Sequence, residues 1–549
     1  MMATKRIQSK GDGTHKLLFS ALLWTMPAAA LLQDGAARAD RGDPLDLTAR
    51  AADYAQREKA ASKSVLDTLA RLRAKIASEH RAYVVGVTVV SGKRLQDITG
   101  LRGLPQLSPQ ANAQARTSEA ASRKAVQART ANPITDALAA LGLRAGSSFD
   151  WRDAGVVSPI RDQGGCGSCW AFASGAAFEA NFRIRHSGRD SQVDTSEQQL
   201  VDCVPSGCEG SNPYYAFAYL QSGPGFLHEG SLGYKAQDQG NLLCQYVGGS
   251  WNVLNLPALP LGVPRVGMFD LPTFARVQDF GFEAPDAGDA GVSRIKDLLK
   301  NHGPLVTGMC VGEAFQNYTG GVIDDNVPCV YSGPGANGHA VTIVGWSDTP
   351  PRPPALPSWV VWPTGGVWIV RNSWGESWGA SGYFMTPYSN GMSLAQVVGW
   401  VETSPTRRVQ IKVSGGSGKR AYLSVPSDGS KADLFTTDDG SGHQRWYLEP
   451  SSDGSYYHIR VGGGVLGTRR YLSVSADGTH VDLFDQDDGS GRQRWVLQQS
   501  PDKTTSNILI QGGVNGGRKY LSASADGSIV DLWTQDDGSG RQRWTLNPL

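Results

Sequence analysis

The hydrophobic positions divide the chain into stretches of different period. Leu17 to Leu32 is a nearly continuous apolar run, LLFSALLWTMPAAALL, preceded by Lys5, Arg6, Lys10 and Lys16. From Ala51 to Glu79 the sequence is rich in Ala, Arg, Lys and Leu. Val65, Leu66, Leu69, Leu72 and Ile76 recur there at helical spacing, which predicts an amphipathic helix. Tyr83 to Val90 (YVVGVTVV) predicts a strand. From Leu107 to Asn132 the residues are mostly Ala, Gln, Ser, Arg and Thr with no sustained apolar face, which predicts a linker. Residues 146–402 mix both periods. Beyond 402, short alternating strands such as YLSVSADG and VDLF lie between glycine-rich turns.

The basic start, an apolar run too short for the roughly 20 residues of a membrane helix, and Ala37-Arg38-Ala39 form the order of a cleavable secretory signal over 1–39. No other stretch is apolar enough to span a bilayer, so the expectation is a secreted or periplasmic protein without stable membrane insertion. Disulfides persist in such compartments. Lys plus Arg is 52 against 51 acidic residues, a net charge of +1, which argues against a nucleic-acid partner. The 67 glycines among 549 residues argue against an all-helical bundle.

Gln163-Gly-Gly-Cys166-Gly-Ser-Cys169-Trp170 runs directly into a helix-forming stretch ending at Arg185. A thiol at a helix N-terminus has its thiolate stabilised by the dipole and the exposed N–H groups. Downstream, Asn337-Gly-His339 precedes one apolar run, and Asn372-Ser-Trp374 follows another. With Phe149-Asp-Trp151, these blocks resemble the papain-like cysteine peptidases in composition and order from about residue 149 to 401. The resemblance implies an α+β two-lobed catalytic domain that hydrolyses proteins or peptides without cofactor or metal. Its triad would be Cys169 as nucleophile, His339 as base and then acid, and Asn372 orienting the imidazole. Gln163 and the Cys169 N–H would hold the oxyanion. Trp374 would cover the Asn–His bond, and Gly210, Ser211, Asn212, Pro213 and Tyr214 would line the substrate cleft.

His339 and Asn372 lie 170 and 203 residues after Cys169, beyond the usual roughly 130–150. Insertions after Cys244 and over Thr349 to Gly366 account for the excess. Ser211 stands where the family has a second glycine, and Gly338 where an acid or asparagine is frequent. The family's helical prosegment pattern is not evident in 51–79. With Cys169 free, six cysteines allow fifteen pairings. The resemblance implies Cys166–Cys208 and Cys203–Cys244, which leaves Cys310 with Cys329.

Tyr-Leu-Ser recurs at 422, 471 and 520, and Gln-Arg-Trp ends at Trp446, Trp495 and Trp544, an interval of 49 residues. Three units must bury one another's faces, and they suffice if they close into an all-β trefoil. The Gln-x-Trp ending resembles the ricin-B-like trefoil domains, which implies glycan ligands. That family's sugar-binding aspartate position holds Ser424, Ser473 and Ser522. Asp433 with Phe435, Asp482 with Phe484, and Asp531 with Trp533 remain as the acceptor-and-platform pairs, with a structural role for them as the alternative. The three tryptophans read as core, and Asp-Asp-Gly-Ser-Gly reads as a hairpin turn rather than a metal loop.

The organisation expected is therefore a signal (1–39), a prosegment and linker (40–145), a peptidase domain (146–402) and a trefoil (403–549). The function expected is a zymogen of a secreted endopeptidase. The alternatives are a transamidase or exopeptidase on the same triad, or a lectin-like adhesion protein with an inactive peptidase domain.

Overall fold

In a computed structural model, residues 43–48, 50–129, 146–185, 193–222, 225–239, 273–405, 407–451, 455–466, 468–500 and 504–549 are described. The expected signal over 1–39, Cys244 and the insertion after it lie outside these residues.

The helical pattern after Ala51 is two helices, α1 (Ala51–Ala60) and α2 (Lys63–Ser78). Ala61 and Ser62 are extended between them, and the Ser62 hydroxyl caps α2 by accepting from Val65 N. Leu69, Leu72 and Ile76 are buried as expected, whereas Leu66 is exposed. The strand expected over Tyr83 to Val90 is shorter: β1 (Tyr83–Val85) pairs with β6 (Tyr318–Gly321). The chain then turns, with Thr88 N donating to Ser91 Oγ at 2.8 Å. After the short α3 (Leu95–Ile98) the expected linker is instead a helix, α4 (Pro109–Arg129). Ala, Gln, Arg and Lys favour helix intrinsically, Ser108 Oγ accepts from Ala111 N, and Pro109 sits at the first helical position. A polar anchor holds α4 where an apolar stripe would otherwise be needed: the Asn112 side chain donates to Ala284 O and accepts from Ala284 N.

The middle region has two large cores, beside a smaller one around Val344, Ile369 and Met385. One surrounds the nearly all-buried α5 (Cys169–Arg185), with α6 (Glu197–Cys203) and α7 (Pro213–Ser222) against it. The other, rich in tryptophan, backs an antiparallel sheet in the order β3-β4-β10-β5-β7-β8-β9, with β2 (Ser148–Asp150) also on β7. These strands are β3 (Phe226–Leu227), β4 (Thr273–Glu283), β5 (Leu305–Cys310), β7 (Gly338–Ser347), β8 (Val367–Arg371), β9 (Tyr383–Pro387) and β10 (Val398–Pro405). Helices α8 (Asp289–His302) and α9 (Glu313–Gln316) complete the region. Cys166–Cys208 and Cys310–Cys329 are formed, and Cys203 is also disulfide-bonded.

Glu402 to Ser404 pair within this sheet, so the C-terminal region starts with β11 (Arg407–Val413). Its barrel strands are β11, β14 (Trp446–Pro450), β15 (Tyr457–Val461), β18 (Trp495–Gln499), β19 (Ser506–Ile510) and β22 (Trp544–Pro548). They pair in that order, and β22 returns to β11, a closed six-stranded ring. Three hairpins join it: β12 (Tyr422–Ser424) with β13 (Asp433–Phe435), β16 (Tyr471–Val474) with β17 (Val481–Phe484), and β20 (Tyr520–Ala523) with β21 (Val530–Trp533). Closure removes the open strand edges that one unit alone would expose. Each repeat's tryptophan is fully buried and donates its indole N–H to a hairpin carbonyl, Leu423, Leu472 or Leu521. Only one residue separates β10 from β11, and Arg276 of β4 pairs with the buried Glu449 of β14. The two regions are therefore in direct contact through an ion pair as well as joined by the short chain link.

Candidate active site

Cys169 opens α5, His339 follows the first residue of β7, and Asn372 follows the last residue of β8. Cys169 belongs to the α5 core, and the strands beside His339 and Asn372 reach the tryptophan-rich core through Val341, Ile343, Trp368 and Val370, so the site lies where the two cores face each other. His339 Nε2 and Asn372 Oδ1 are 2.7 Å apart, and Trp374 packs on the imidazole with ring centroids 4.8 Å apart. Cys169 is the free cysteine among the described residues, and its sulfur accepts from Ala340 N at 3.3 Å. His339 Nδ1 has no partner among them.

Thiol and imidazole are both fully buried. Burial pushes the Cys169 thiol up to about 12, against backbone N–H groups, including that of Gly100, that pull it down. Burial likewise takes the His339 imidazole down to about 4, against the bond to Asn372. Both groups are thus neutral near pH 7, and the thiolate–imidazolium pair is off.

The N-terminal segment causes that burial. Gly100 O accepts from Ser211 N and Arg102 N donates to Ser211 O, both at 2.9 Å, a parallel bridge centred on Leu101. Gly100 and Leu101 also donate to Gly338 O, at 3.1 and 2.9 Å. A Cβ on Gly210 would meet Gly100 O at 2.4 Å, so this approach needs glycine there. Ser211 keeps the wall's pairing role because backbone atoms alone are used. The Leu101 side chain is buried in the α5 core, and a Cβ on Gly308 would come within 2.5 Å of it.

Gln163 Nε2 donates to Ile98 O at 3.2 Å and to Cys166 O at 2.8 Å, and Trp374 Nε1 donates to the same Ile98 oxygen at 2.9 Å. A carbonyl of the N-terminal segment thus accepts from the Gln163 amide, one of the two donors expected for the oxyanion. The remaining wall residues differ in placement. Asn212 Oδ1 accepts from Tyr215 N, Pro213 is buried at the start of α7, and Tyr214 lies exposed with its ring edge against Phe280. Leu101 and Gly308 carried no sequence signal, because neither belongs to a motif. Their roles arise from which strand the segment crosses.

In the C-terminal region the candidate aspartates and aromatics fall two residues apart on β13, β17 and β21, on one face of each strand. Phe435, Phe484 and Trp533 are 41 %, 36 % and 40 % exposed, so they are not core. Asp433, Asp482 and Asp531 are partly buried, which raises their carboxyls against the pull of nearby basic groups. Ser424, Ser473 and Ser522 are buried and accept from Gln444, Gln493 and Gln542. In the Asp-Asp-Gly-Ser-Gly segments, Asp438, Asp487 and Asp536 each accept from the backbone two residues on and from an arginine, Arg445, Arg494 or Arg543. These are turn-forming contacts, but the strands on either side (β13 and β14, β17 and β18, β21 and β22) do not pair with each other, so the turns are not the hairpin turns expected.

A family model described as papain family cysteine protease matches residues 145–397. Zingipain-2 of Zingiber officinale is 31 % identical over 238 residues, covering 43 % of this chain and 85 % of that protein. Thiol protease aleurain of Arabidopsis thaliana is 31 % identical over 241 residues, covering 43 % of this chain and 54 % of the relative, about half its length. Among solved structures, digestive procathepsin L2 proteinase from Tenebrio molitor larval midgut is similar at 27 % identity and a TM-score of 0.40, covering 61 % of this chain and 89 % of that one.

Proposed function

The chain belongs to the papain family of cysteine proteases, and from that premise we propose that it is a secreted or periplasmic endopeptidase made as a zymogen. In this reading Cys169 attacks the scissile carbonyl as the thiolate. His339 accepts the thiol proton and returns it to the leaving amine, while Asn372 Oδ1 holds the ring. Gln163 Nε2 and the Cys169 N–H receive the negative oxygen. The observation that carries the reading is the free Cys169 at a helix start beside the bonded His339–Asn372 pair. The same observation disfavours an inactive peptidase domain.

In this reading residues 40–145 act as prosegment and linker. Leu101 holds the place of a substrate side chain, between backbone bonds to Ser211 and above the bare Gly308. The pocket therefore suits an apolar side chain of leucine size, since a charged group there would lose its hydration without a partner. Trimmed protein assayed on fluorogenic peptides differing at that one position is expected to favour Leu over Asp by at least about a hundredfold in kcat/KM. No hydrolysis of any peptide in the set would overturn the peptidase reading.

For the C-terminal region we read a ricin-B-like β-trefoil that binds glycans. The closed six-stranded ring with three hairpins supports the fold, and the three exposed aromatics beside carboxylates support the ligand class. Three weak sites on one module add avidity where their spacing matches the target. The full-length protein is expected to bind a glycan array, and changing Asp433, Asp482 and Asp531 together to Ala should abolish binding with peptide hydrolysis unchanged. An array without signal from correctly folded protein would leave a structural role for the module.

A further inference from the structure

Away from the cleft, a fully buried histidine lies between two carboxylates, and the prosegment supplies one of them. His302, the last residue of α8, has Nδ1 2.5 Å from Glu402 Oε1 and Nε2 2.9 Å from Glu119 Oε1. Its ring stacks on Trp400 with centroids 4.4 Å apart. A neutral imidazole carries one N–H, so both contacts are hydrogen bonds only when the ring is the imidazolium. Glu119 belongs to α4, and its side chain is buried.

The surrounding charges balance. Glu402 also accepts from Arg185 Nε at 2.7 Å and faces Asn181 of α5. Arg294 of α8 bridges Glu119 at 2.9 Å and the buried Glu283 of β4 at 2.7 Å. Three carboxylates (Glu119, Glu283, Glu402) thus meet three cations (His302, Arg185, Arg294). At the rim of α4, Arg123 lies 3.4 Å from Glu119, and Arg116 lies 3.9 Å from Glu283 and 3.1 Å from Asp286. Asp279 of β4 faces the same cluster. Without Glu119, His302 Nε2 would lose its acceptor, whereas Arg294 Nη2 would keep its bond to Glu283. A buried charge stripped of its partner is strongly destabilising, so the prosegment completes this network rather than resting on it.

We infer that Glu119 and His302 form a pH-gated latch that holds α4, and with it the cleft-filling strand, on the catalytic domain at a second place. The inference adds an anchor to the zymogen reading and does not depend on hydrolysis. Burial alone would raise the Glu119 carboxyl, but its bonds to His302 and Arg294 outweigh burial and hold it at about 2. Its contribution is present above the free value of 4.5 and fades as pH falls from there toward 2. Burial alone would lower the His302 imidazole, but Glu119 and Glu402 outweigh burial and raise it above 6.5. Its contribution is complete below 6.5 and is lost as pH rises through the raised value. The latch is therefore firmest between these limits and loosens on both sides.

The test is hydrogen exchange of the α4 amides in full-length Cys169→Ala protein, which cannot trim itself, from about pH 3 to about pH 9. Expressed as protection over intrinsic exchange, α4 should be most protected near pH 5–6, lose at least about tenfold toward pH 3, and decline again toward alkaline pH. Glu119→Gln should lower the maximum and flatten the acid side, while Glu119→Asp, which keeps the charge, should retain a pH-dependent profile. Amides of α5 and of the barrel strands serve as internal controls for global unfolding. Protection of α4 that is flat with pH in the parent, or a Glu119→Gln profile matching the parent's, overturns the latch. Because exchange is read without substrate, that failure is separable from failure of the peptidase reading.

Discussion

Cys169→Ala abolishes peptide hydrolysis by the trimmed protein and leaves its unfolding midpoint within a few degrees of the parent. The change removes one buried sulfur atom from a well-packed helix start, a loss of about 1 kcal/mol by analogy with small buried truncations. The catalytic effect is far larger, because nucleophile, base and orienting group act as a unit. Removing the nucleophile from such a set lowers kcat on the order of a millionfold. Progress curves on a fluorogenic peptide, calorimetry, and mass analysis after treatment with a thiol-directed epoxide check both halves. The parent should gain one adduct at Cys169 and the variant none. Turnover in the variant above about a hundredth of the parent's would remove Cys169 from its role.

Cleavage between α4 and β2 followed by release of the prosegment turns the thiol from inert to reactive. In the closed form burial holds the Cys169 thiol up to about 12 and the His339 imidazole down to about 4, so at neutral pH neither carries charge. Departure of Ile98 to Arg102 readmits water, and the helix N-terminus then favours thiolate beside imidazolium. The thiol pKa falls and the imidazole pKa rises, so reactivity appears at pH values where the precursor has none. Alkylation of Cys169 at neutral pH is expected to accelerate by at least about a hundredfold on release, with peptide hydrolysis appearing in parallel. Equal alkylation rates in full-length and trimmed protein would contradict the role of the segment.

The candidate catalytic residues were legible in the sequence because the proposed chemistry needs particular residue types at element boundaries. A cysteine opening a helix-forming run, a histidine entering one strand and an asparagine leaving another keep those positions in the fold. The 49-residue repeat was legible for a related reason. Each Gln-x-Trp places an indole in the core and a glutamine on a buried serine, so the same contacts recur three times. The failure at 107–132 came from weighting apolar periodicity alone. Ser108-Pro109 carries a helix-start signal, and the anchoring face of α4 is polar, with Asn112, Glu119 and Ser122 directed at partners far away in sequence.

Local sequence determined which residues could be nucleophile, base and core, since helix starts, strand alternation and turn chemistry depend on near neighbours. It could not determine what covers them. That Leu101 lies over Gly308, that Ile98 O takes the Gln163 amide, and that Glu119 closes on His302 depend on chain segments 65 to 207 residues apart meeting in three dimensions. At those meetings burial sets the protonation of the Cys169 thiol and the His339 imidazole, and paired charges that outweigh burial set that of His302 and Glu119. Desolvation is a property of the assembled environment, so tertiary structure alone decided that the site is present and held neutral.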